Sequence, residues 1–375
     1  MDKDLTVLLI TKDRERFLYR WMAYAQDIQF PFKVYIADGG KAENTAHHFT
    51  NTSNYPSVDY IYRKYPHDKS YRELYSKVVD ALKKIETPYA VWADDDDFYF
   101  PKGLRKSIEF LKKNPSFSSC RGVLGSFSIT PRKEDKISDV YGNNINYVFH
   151  AKPFRENEVS ITNESPQNRL NNYLLRRSPT WYDMHRTEHA LNVWRTIRDC
   201  NFENILLAEC LLDVLNVISG KVHRFTDYLS DLYLMRQTPP PESVARTFRE
   251  KFGDSFSQML APSWSDDFST FVNSVSMSLN NLESLNSNES KRIATDVYRK
   301  YIGKKVISDL EDENFEELTD EKKIHQSIFS IWNIRKNNHH NFSFSRIIDK
   351  LMKIDSEKKV PDEMEIMTSF LHNPK

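Results

Sequence analysis

The sequence predicts an α/β fold with a doubly wound, mostly parallel sheet, followed by an α-helical C-terminal region. Short β-rich runs alternate with helical patterns along the first third of the chain, which is typical of strand–helix–strand units. Polar or acidic residues follow three of these runs directly, where parallel strands present ligand-binding side chains. From Pro179 onward the apolar residues recur at helical spacing, which predicts the helices of the later chain.

Hydrophobic periodicity gives each element of the first third in order. Runs of period two predict strands, and apolar residues three and four positions apart predict helices. The predicted strands are Leu5–Thr11, Lys33–Ala37, Asp59–Arg63 and Tyr89–Ala93, and the predicted helices are Phe17–Gln26, Tyr71–Ile85 and Pro101–Lys113.

The rest of the chain divides into three stretches. Residues 122–177 are polar and rich in asparagine, which predicts irregular structure with scattered strands that face an acceptor. Helices are then predicted at Thr187–Cys200 and Asn204–Ile218. The run Thr238–Pro241 breaks the pattern most strongly, so we predict one domain at 1–240 and a helical region at 241–375 that serves as a lid, in packing or in oligomerisation.

Composition excludes several classes of protein. Of the 375 residues, 53 are Lys or Arg and 53 are Asp or Glu, so net charge does not draw the chain to nucleic acid. The three cysteines are widely spaced and have no CxxC pattern, which argues against a disulfide framework or a zinc site. No run of about 18 apolar residues occurs, so we expect a cytoplasmic protein, at most held at the inner face of the membrane.

Four consecutive aspartates follow the strand predicted at Tyr89–Ala93. Like charges this close repel one another, and a divalent cation with oxygen ligands offsets them. Neither a GxGxxG nor a GxxxxGK[ST] pattern is present, so any phosphate is expected to be held by a metal or by side chains. The run Asp94–Asp97 therefore predicts a Mg²⁺ or Mn²⁺ site, against the alternative of a solvated turn that caps the next helix.

Three motifs in this order resemble the GT-A glycosyltransferases, most nearly the family 2 type and its bacterial relatives. In that family a first strand ends in a Thr-containing turn, a second in an Asp, and a later one in an Asp-x-Asp-Asp motif followed by proline. The matching segments here are Leu8–Arg14, Tyr35–Gly40 and Ala93–Phe98 with Pro101. The resemblance implies a GT-A fold and transfer of a sugar from a nucleotide-sugar donor.

The resemblance also implies roles for single residues. Thr11 and Asp38 would contact the base and ribose, and Arg14 would contact the diphosphate. Asp94 and Asp95 would join them in binding the donor. Asp96 and Asp94 would hold the metal, with the direct ligand left open between them.

Two further segments resemble the acceptor side of the family. At the head of a late helix the family carries an acidic general base, for which Glu209 is the candidate here, with Asp213 as the second choice. The segment Trp181–Glu188 offers Arg186, or His185, to stabilise the leaving diphosphate. A structural salt bridge or buried histidine would explain these two residues equally well. The segment Tyr233–Gln237 resembles the family's Tyr-Arg-x-His tail, with Gln237 in place of the histidine.

The resemblance thus implies a metal-dependent, inverting glycosyltransferase of bacterial surface-polysaccharide synthesis. The resemblance favours a UDP-sugar donor and a glycan or lipid-linked acceptor, and it allows a peripheral membrane contact and a homo-oligomer. The contact would use a basic, aromatic stretch at Ile331–Lys336 with His339 and His340. Alternatives are a retaining enzyme, a nucleotidyltransferase, and a binding module of degenerate GT-A fold without catalysis.

Overall fold

The computed structural model describes most of the chain. It covers residues 2–131, 140–150, 159–176, 179–227, 230–238, 259, 262–283, 285–312 and 362–372. The strands are β1 (Asp2–Thr11), β2 (Phe32–Asp38), β3 (Tyr60–Lys64), β4 (Tyr89–Asp94), β5 (Phe98–Tyr99), β6 (Phe117–Arg121), β7 (Val123–Pro131), β8 (Gly142–His150), β9 (Met184–Arg186), β10 (Lys221–Arg224) and β11 (Leu232–Gln237).

Helices alternate with the strands β1 to β4, as the sequence predicts, although the helix at Glu43–Thr50 was not predicted. The helices are α1 (Glu15–Asp27), α2 (Glu43–Thr50), α3 (Tyr71–Leu82), α4 (Pro101–Lys113), α5 (Pro166–Arg176), α6 (Thr187–Cys200), α7 (Ile205–Ser219), α8 (Trp264–Glu283), α9 (Ser287–Asp312) and α10 (Asp362–His372). A 3₁₀ turn at Thr52–Asn54 leads into β3.

The main sheet has seven strands in the order β10-β6-β9-β4-β1-β2-β3. The strands β4, β1, β2 and β3 run parallel, while the three-residue β9 runs antiparallel between β4 and β6. Side chains alternate along β1, so that Val7 and Leu9 join a core with α1 and α4, and Leu8 joins a core with α3, α6 and α7. The predicted α/β fold with a doubly wound, mostly parallel sheet is therefore confirmed.

Two strands of a second sheet, β7 and β8, lie in the stretch 122–177, where the sequence predicts irregular structure with scattered strands. Its four strands follow the order β5-β11-β7-β8, and β7 pairs with β8 from Leu124 to Pro131. The scattered strands expected there are present as β7 and β8, whereas the helix α5 was not expected. The sheet is covered by α10, whose Met367 and Phe370 are buried against Phe98 and Met235.

Helices dominate the described parts of 241–375, as predicted. Trp264 of α8 donates to Tyr298 of α9 at 2.6 Å, and Asp267 accepts hydrogen bonds from the backbone at the start of α7. The predicted break at Thr238–Pro241 and the stretch 331–340 fall largely or wholly outside the described residues. Within the described part, no helix combines the length and apolar character that crossing a bilayer requires.

Candidate functional site

The strand ends named by the sequence meet at one edge of the main sheet. Thr11 lies beside Asp38, and Ile10 lies beside Asp94, in the registers of β1 with β2 and β4. Strands lie about 4.8 Å apart, so Asp38 and Asp94 are separated by about 10 Å across β1. The sequence therefore located this edge correctly, and the side chains that follow it form the candidate site.

The turn after β1 is fixed by a left-handed residue. Asp13 has φ 53°, a conformation that asparagine and aspartate tolerate better than most side chains. Its Oδ1 accepts a hydrogen bond from the backbone N–H of Lys41 at 2.8 Å, which ties this turn to the one after β2. The turn directs Arg14 toward the aspartate run.

Asp38 is buried at the end of β2, where three donors reach its carboxylate. Gly40 N–H donates to Oδ1 at 2.6 Å, while the Tyr62 hydroxyl and the Lys64 ammonium donate to Oδ2 at 2.6 and 3.3 Å. These donors come from the next turn and from β3. Asp38 is thus an oriented acceptor held at the sheet edge.

A buried ion pair packs against the ends of β1 and β2. Lys77 of α3 donates to Asp68 Oδ2 at 2.5 Å and to the Thr11 carbonyl at 3.3 Å. Asp68 packs so tightly on the β2 turn that a Cβ at Gly39 would lie 2.1 Å from its Oδ2. Only glycine allows this approach.

The four aspartates divide between two environments. Asp94, Asp96 and Asp97 each offer a carboxylate oxygen, and the three oxygens lie within 4.8 Å of one another. Asp95 instead turns to Thr11, whose hydroxyl donates to its Oδ2 at 2.5 Å. Three converging carboxylates are the oxygen ligands that Mg²⁺ and Mn²⁺ prefer.

The cluster has the free acceptor capacity that a cation requires. Asp97 is 2% exposed, and within the described part of the chain its Oδ2 receives no hydrogen bond. A buried carboxylate oxygen without a donor is costly. The residues therefore fit a divalent cation.

Two arginines flank the cluster. Arg14 lies 3.2 Å from Asp95 Oδ1 and 3.0 Å from Asp96 Oδ2. Arg236 of β11 lies over the ring of Tyr182 at 4.4 Å, and its Nε is 3.7 Å from Asp97 Oδ2. Both guanidinium groups are held beside the carboxylates, where an anionic ligand would meet them.

Burial makes these carboxylates weak acids in the absence of a cation. It raises the pKa of Asp95 to about 7, against the opposing charge of Arg14. Burial, followed by the charge of Asp96, raises the pKa of Asp94 and holds that of Asp97 well above its usual range. A bound cation would favour the ionised forms, so cation binding and proton release are coupled.

Sequence reasoning missed three side chains of the site. Tyr182 donates its hydroxyl to Asp94 Oδ2 at 2.6 Å, and Arg236 approaches Asp97. Arg20 of α1 is fully buried and donates to the Asp96 carbonyl and to Gln237 Oε1, both at 2.8 Å. Tyr182 and Arg236 lie in the segments Trp181–Glu188 and Tyr233–Gln237, but no local pattern there indicates that they contact the aspartates.

The structure places Arg186 away from the aspartates and Glu209 near α3. Arg186 pairs with Tyr89 at the opposite end of β4 from Asp94, and its Nη2 donates to the Leu111 carbonyl at the end of α4 at 2.7 Å. The structure does not bring it to the aspartates. Glu209 is exposed on α7, where its charge adds to burial in raising the pKa of Tyr71 on α3.

The alternative residues from the sequence are buried. His185 stacks on Trp92 with the ring centroids 5.0 Å apart, and burial lowers its pKa to about 3. Asp213 accepts hydrogen bonds from Tyr173 and from Thr180. Both side chains therefore serve the interior around α7 and β9.

Comparison by sequence finds no matching family model and no matching curated protein. Comparison by structure finds TarS of S. aureus, residues 1–349, with TM-score 0.47, 12% identity and coverage of 85% of this chain and 76% of that one. The same protein in complex with UDP-GlcNAc gives TM-score 0.47, 12% identity and coverage of 85% and 77%. The mannosyltransferase PcManGT of Pyrobaculum calidifontis, in complex with GDP-Man and Mn²⁺, gives TM-score 0.40 and 10% identity, with coverage of 83% of this chain and 88% of that one.

Proposed function

We propose that the protein is a glycosyltransferase that moves a sugar from a nucleotide-sugar donor to a hydroxyl acceptor. The observation that carries the proposal is the cluster of Asp94, Asp96 and Asp97, flanked by Arg14 and Arg236. Asp94, in β4, lies across β1 from Asp38, with the two backbones about 10 Å apart. A nucleoside at Asp38 and a diphosphate at the cluster would fill this edge.

The donor would be bound by residues of three strand ends. Asp38 would accept a hydrogen bond from the base or ribose, with Thr11 beside it. Asp94, Asp96 and Asp97 would hold a Mg²⁺ or Mn²⁺ ion. When bound, the ion would supply positive charge that offsets the charge growing on the leaving diphosphate.

Arg14 and Arg236 would turn from the carboxylates to the diphosphate. Each now lies beside an aspartate, and a cation at the cluster would take over the neutralisation of those carboxylates. The guanidinium groups would then be free to donate to phosphate oxygens, which they fit in a bidentate manner. Fixed cations at this place stabilise the leaving group as the bond to the sugar breaks.

Glu209 remains our candidate for the general base of an inverting reaction. A base must accept the proton of the acceptor hydroxyl as the new bond forms. Glu209 is exposed on α7, and we propose that its carboxylate accepts the proton of the acceptor hydroxyl. We further propose a UDP-sugar donor, a glycan or lipid-linked acceptor and a role in bacterial surface-polysaccharide synthesis.

Calorimetry of donor binding tests the proposal. UDP-, GDP-, CMP- and dTDP-sugars are titrated with and without Mn²⁺ into the wild type, Asp96→Ala and Asp199→Ala. Asp199 is an exposed carboxylate at the end of α6 and serves as the matched control. We expect metal-dependent binding of one donor, lost in Asp96→Ala and kept in Asp199→Ala. Failure of every donor to bind the wild type would overturn the proposal.

The variant Glu209→Gln distinguishes an enzyme from a binding module. Once the donor is known, turnover is measured as release of nucleoside diphosphate in the presence of an acceptor. We expect the variant to bind the donor as the wild type does and to lose most of its turnover. Unchanged turnover would remove Glu209 from the mechanism, and a wild type that binds donor without turnover would indicate a non-catalytic module.

A further inference from the structure

A tight turn before β9 presents an aromatic side chain to the aspartate cluster. The backbone N–H of Asp183 donates to the Thr180 carbonyl at 3.0 Å, which closes a β-turn with Trp181 and Tyr182 at its centre. The turn connects to β9, which pairs with the same strand, β4, that ends at Asp94. Its conformation therefore decides where the Tyr182 hydroxyl lies.

The first corner of this turn is anchored to α7 by a buried carboxylate. Asp213 Oδ1 accepts hydrogen bonds from the backbone N–H and the hydroxyl of Thr180, at 2.7 and 2.8 Å. Its Oδ2 accepts from the Tyr173 hydroxyl of α5 at 2.5 Å. Asn216, one turn further along α7, donates to the Thr180 hydroxyl at 2.8 Å. Thr180 is thus held by α7, and Tyr173 of α5 in turn holds Asp213.

The second corner is anchored to the sheet by another buried carboxylate. Asp183 is fully buried, and its Oδ2 accepts from Arg224 Nη1 at 2.8 Å and from the Ser119 hydroxyl at 2.6 Å. Arg121 Nη1 lies 3.6 Å from its Oδ1. Buried ion pairs add little to stability because desolvation offsets their attraction. Their value at this place is the fixed position that they give to the turn.

The residue between these anchors contacts two members of the cluster site. The Tyr182 hydroxyl donates to Asp94 Oδ2 at 2.6 Å, and the guanidinium of Arg236 lies 4.4 Å from the centre of its ring. A carboxylate has about four acceptor positions, so one hydrogen bond orients Asp94 and leaves it able to bind a cation. The ring at the same time holds Arg236 close to Asp97.

We propose that Tyr182 is a positioning residue of the cation site, fixed by the turn whose corners are Thr180 and Asp183. It orients Asp94 toward the ion and holds Arg236 beside the cluster. The inference rests on the cation site of the proposed function. Partners behind metal ligands commonly change metal affinity by about 10- to 100-fold when they are removed.

Mn²⁺ titration without donor tests this role, with free Mn²⁺ followed by electron paramagnetic resonance. The variant Tyr182→Phe keeps the ring and its contact with Arg236 and removes only the hydroxyl. Tyr65→Phe is the matched control, because it removes a tyrosine hydroxyl that donates to Asp80 at 2.8 Å, outside the cluster. We expect Mn²⁺ affinity to fall about tenfold in Tyr182→Phe and to stay unchanged in Tyr65→Phe.

A second variant tests the anchoring of the turn. Asp213→Asn keeps the Tyr182 and aspartate side chains and weakens the hold on Thr180. The Tyr182 hydroxyl would then be less well fixed, so we expect weaker Mn²⁺ binding in a folded protein. Equal Mn²⁺ affinity in wild type and Tyr182→Phe would overturn the positioning role and leave the cation site standing. A wild type that binds no Mn²⁺ would instead remove the cation site itself.

Discussion

At the scale of single residues, the candidate site consists of buried aspartate carboxylates that lie beside arginine guanidinium groups. The sequence located Thr11, Asp38 and the aspartate run, because a polar residue directly after an apolar strand is visible in the order of the residues. It could not locate Tyr182 and Arg236. Their importance comes from pairing between segments that lie about 90 and 140 residues after the aspartates, which no local pattern encodes.

The pKa of Asp95 makes stability of the metal-free protein depend on pH. Because burial raises this pKa to about 7, the folded state binds more protons than the unfolded state between about pH 4 and pH 7. This carboxyl therefore favours folding at low pH, and its contribution is lost as the pH rises. We expect Asp95→Asn to gain stability relative to the wild type from about pH 5 to about pH 8.

Thermal unfolding in the presence of a chelator measures this difference. Taking the variant minus the wild type at each pH removes the titration of distant groups. One of these is His185, whose lowered pKa acts in the opposite direction. A difference that stays constant with pH would contradict the raised pKa of Asp95.

A substitution at Gly39 tests the packing of the Asp68–Lys77 ion pair against the turn after β2. A methyl group there would lie 2.1 Å from Asp68 Oδ2 and would displace the carboxylate that holds Lys77. We expect Gly39→Ala to lower the free energy of unfolding by about 2 kcal/mol. Gly303→Ala in α9 is the control, because nothing lies within 4 Å of its added Cβ and alanine favours a helix. Chemical denaturation compares the two, and equal stabilities would contradict the clash.

At the scale of elements, the order of strands and helices was predictable as far as β4, except for the short helix α2, which was not predicted. Each of these strands is an apolar run that pairs with parallel neighbours, and periodicity identifies such runs. The strand β9 was not predictable, because three residues show no period, although they lie between β4 and β6 in the main sheet. The sequence predicted only scattered strands where β7 and β8 lie, because their residues show no clear period.

Helix α10 gives a prediction at this scale. Phe370 is 5% exposed and contacts Tyr24 and Phe98, with ring centroids 5.4 and 6.4 Å away. We expect Phe370→Ala to cost about 3 kcal/mol of stability and to release α10 to limited proteolysis. Ile366→Ala on the same helix removes a side chain that is 45% exposed, and we expect a change within about 0.5 kcal/mol. Equal protease resistance in both variants would count against this docking.

At the scale of the whole molecule, the two sheets meet behind the aspartate run. Arg20 joins them, since it donates to the Asp96 carbonyl after β4, to Gln237 of β11 and to the Val140 carbonyl before β8. The α/β class of this arrangement followed from the sequence. The junction could not be predicted from the sequence, because the pattern of an amphipathic helix places an arginine on the exposed face.

Arg20→Met gives the prediction for this junction. The substitution keeps most of the apolar stem and leaves three buried acceptors without their donor, so we expect a loss of about 3 kcal/mol. Because the Asp96 backbone would also lose its support, Mn²⁺ affinity should fall with stability. Arg16→Met changes an exposed arginine one turn earlier in α1 and should alter neither measurement. Wild-type stability of Arg20→Met in denaturant would rule out this role.

The position of α10 has a consequence for synthesis on the ribosome. Phe98 directly follows the aspartate run, and its ring is covered by Phe370, which lies 272 residues later in the chain. Arg236 likewise comes from a late strand. A nascent chain can thus build the parallel sheet and expose its four aspartates well before translation supplies this packing and Arg236. Until α10 leaves the ribosomal tunnel, the Phe98 ring is expected to lack the cover of Phe370.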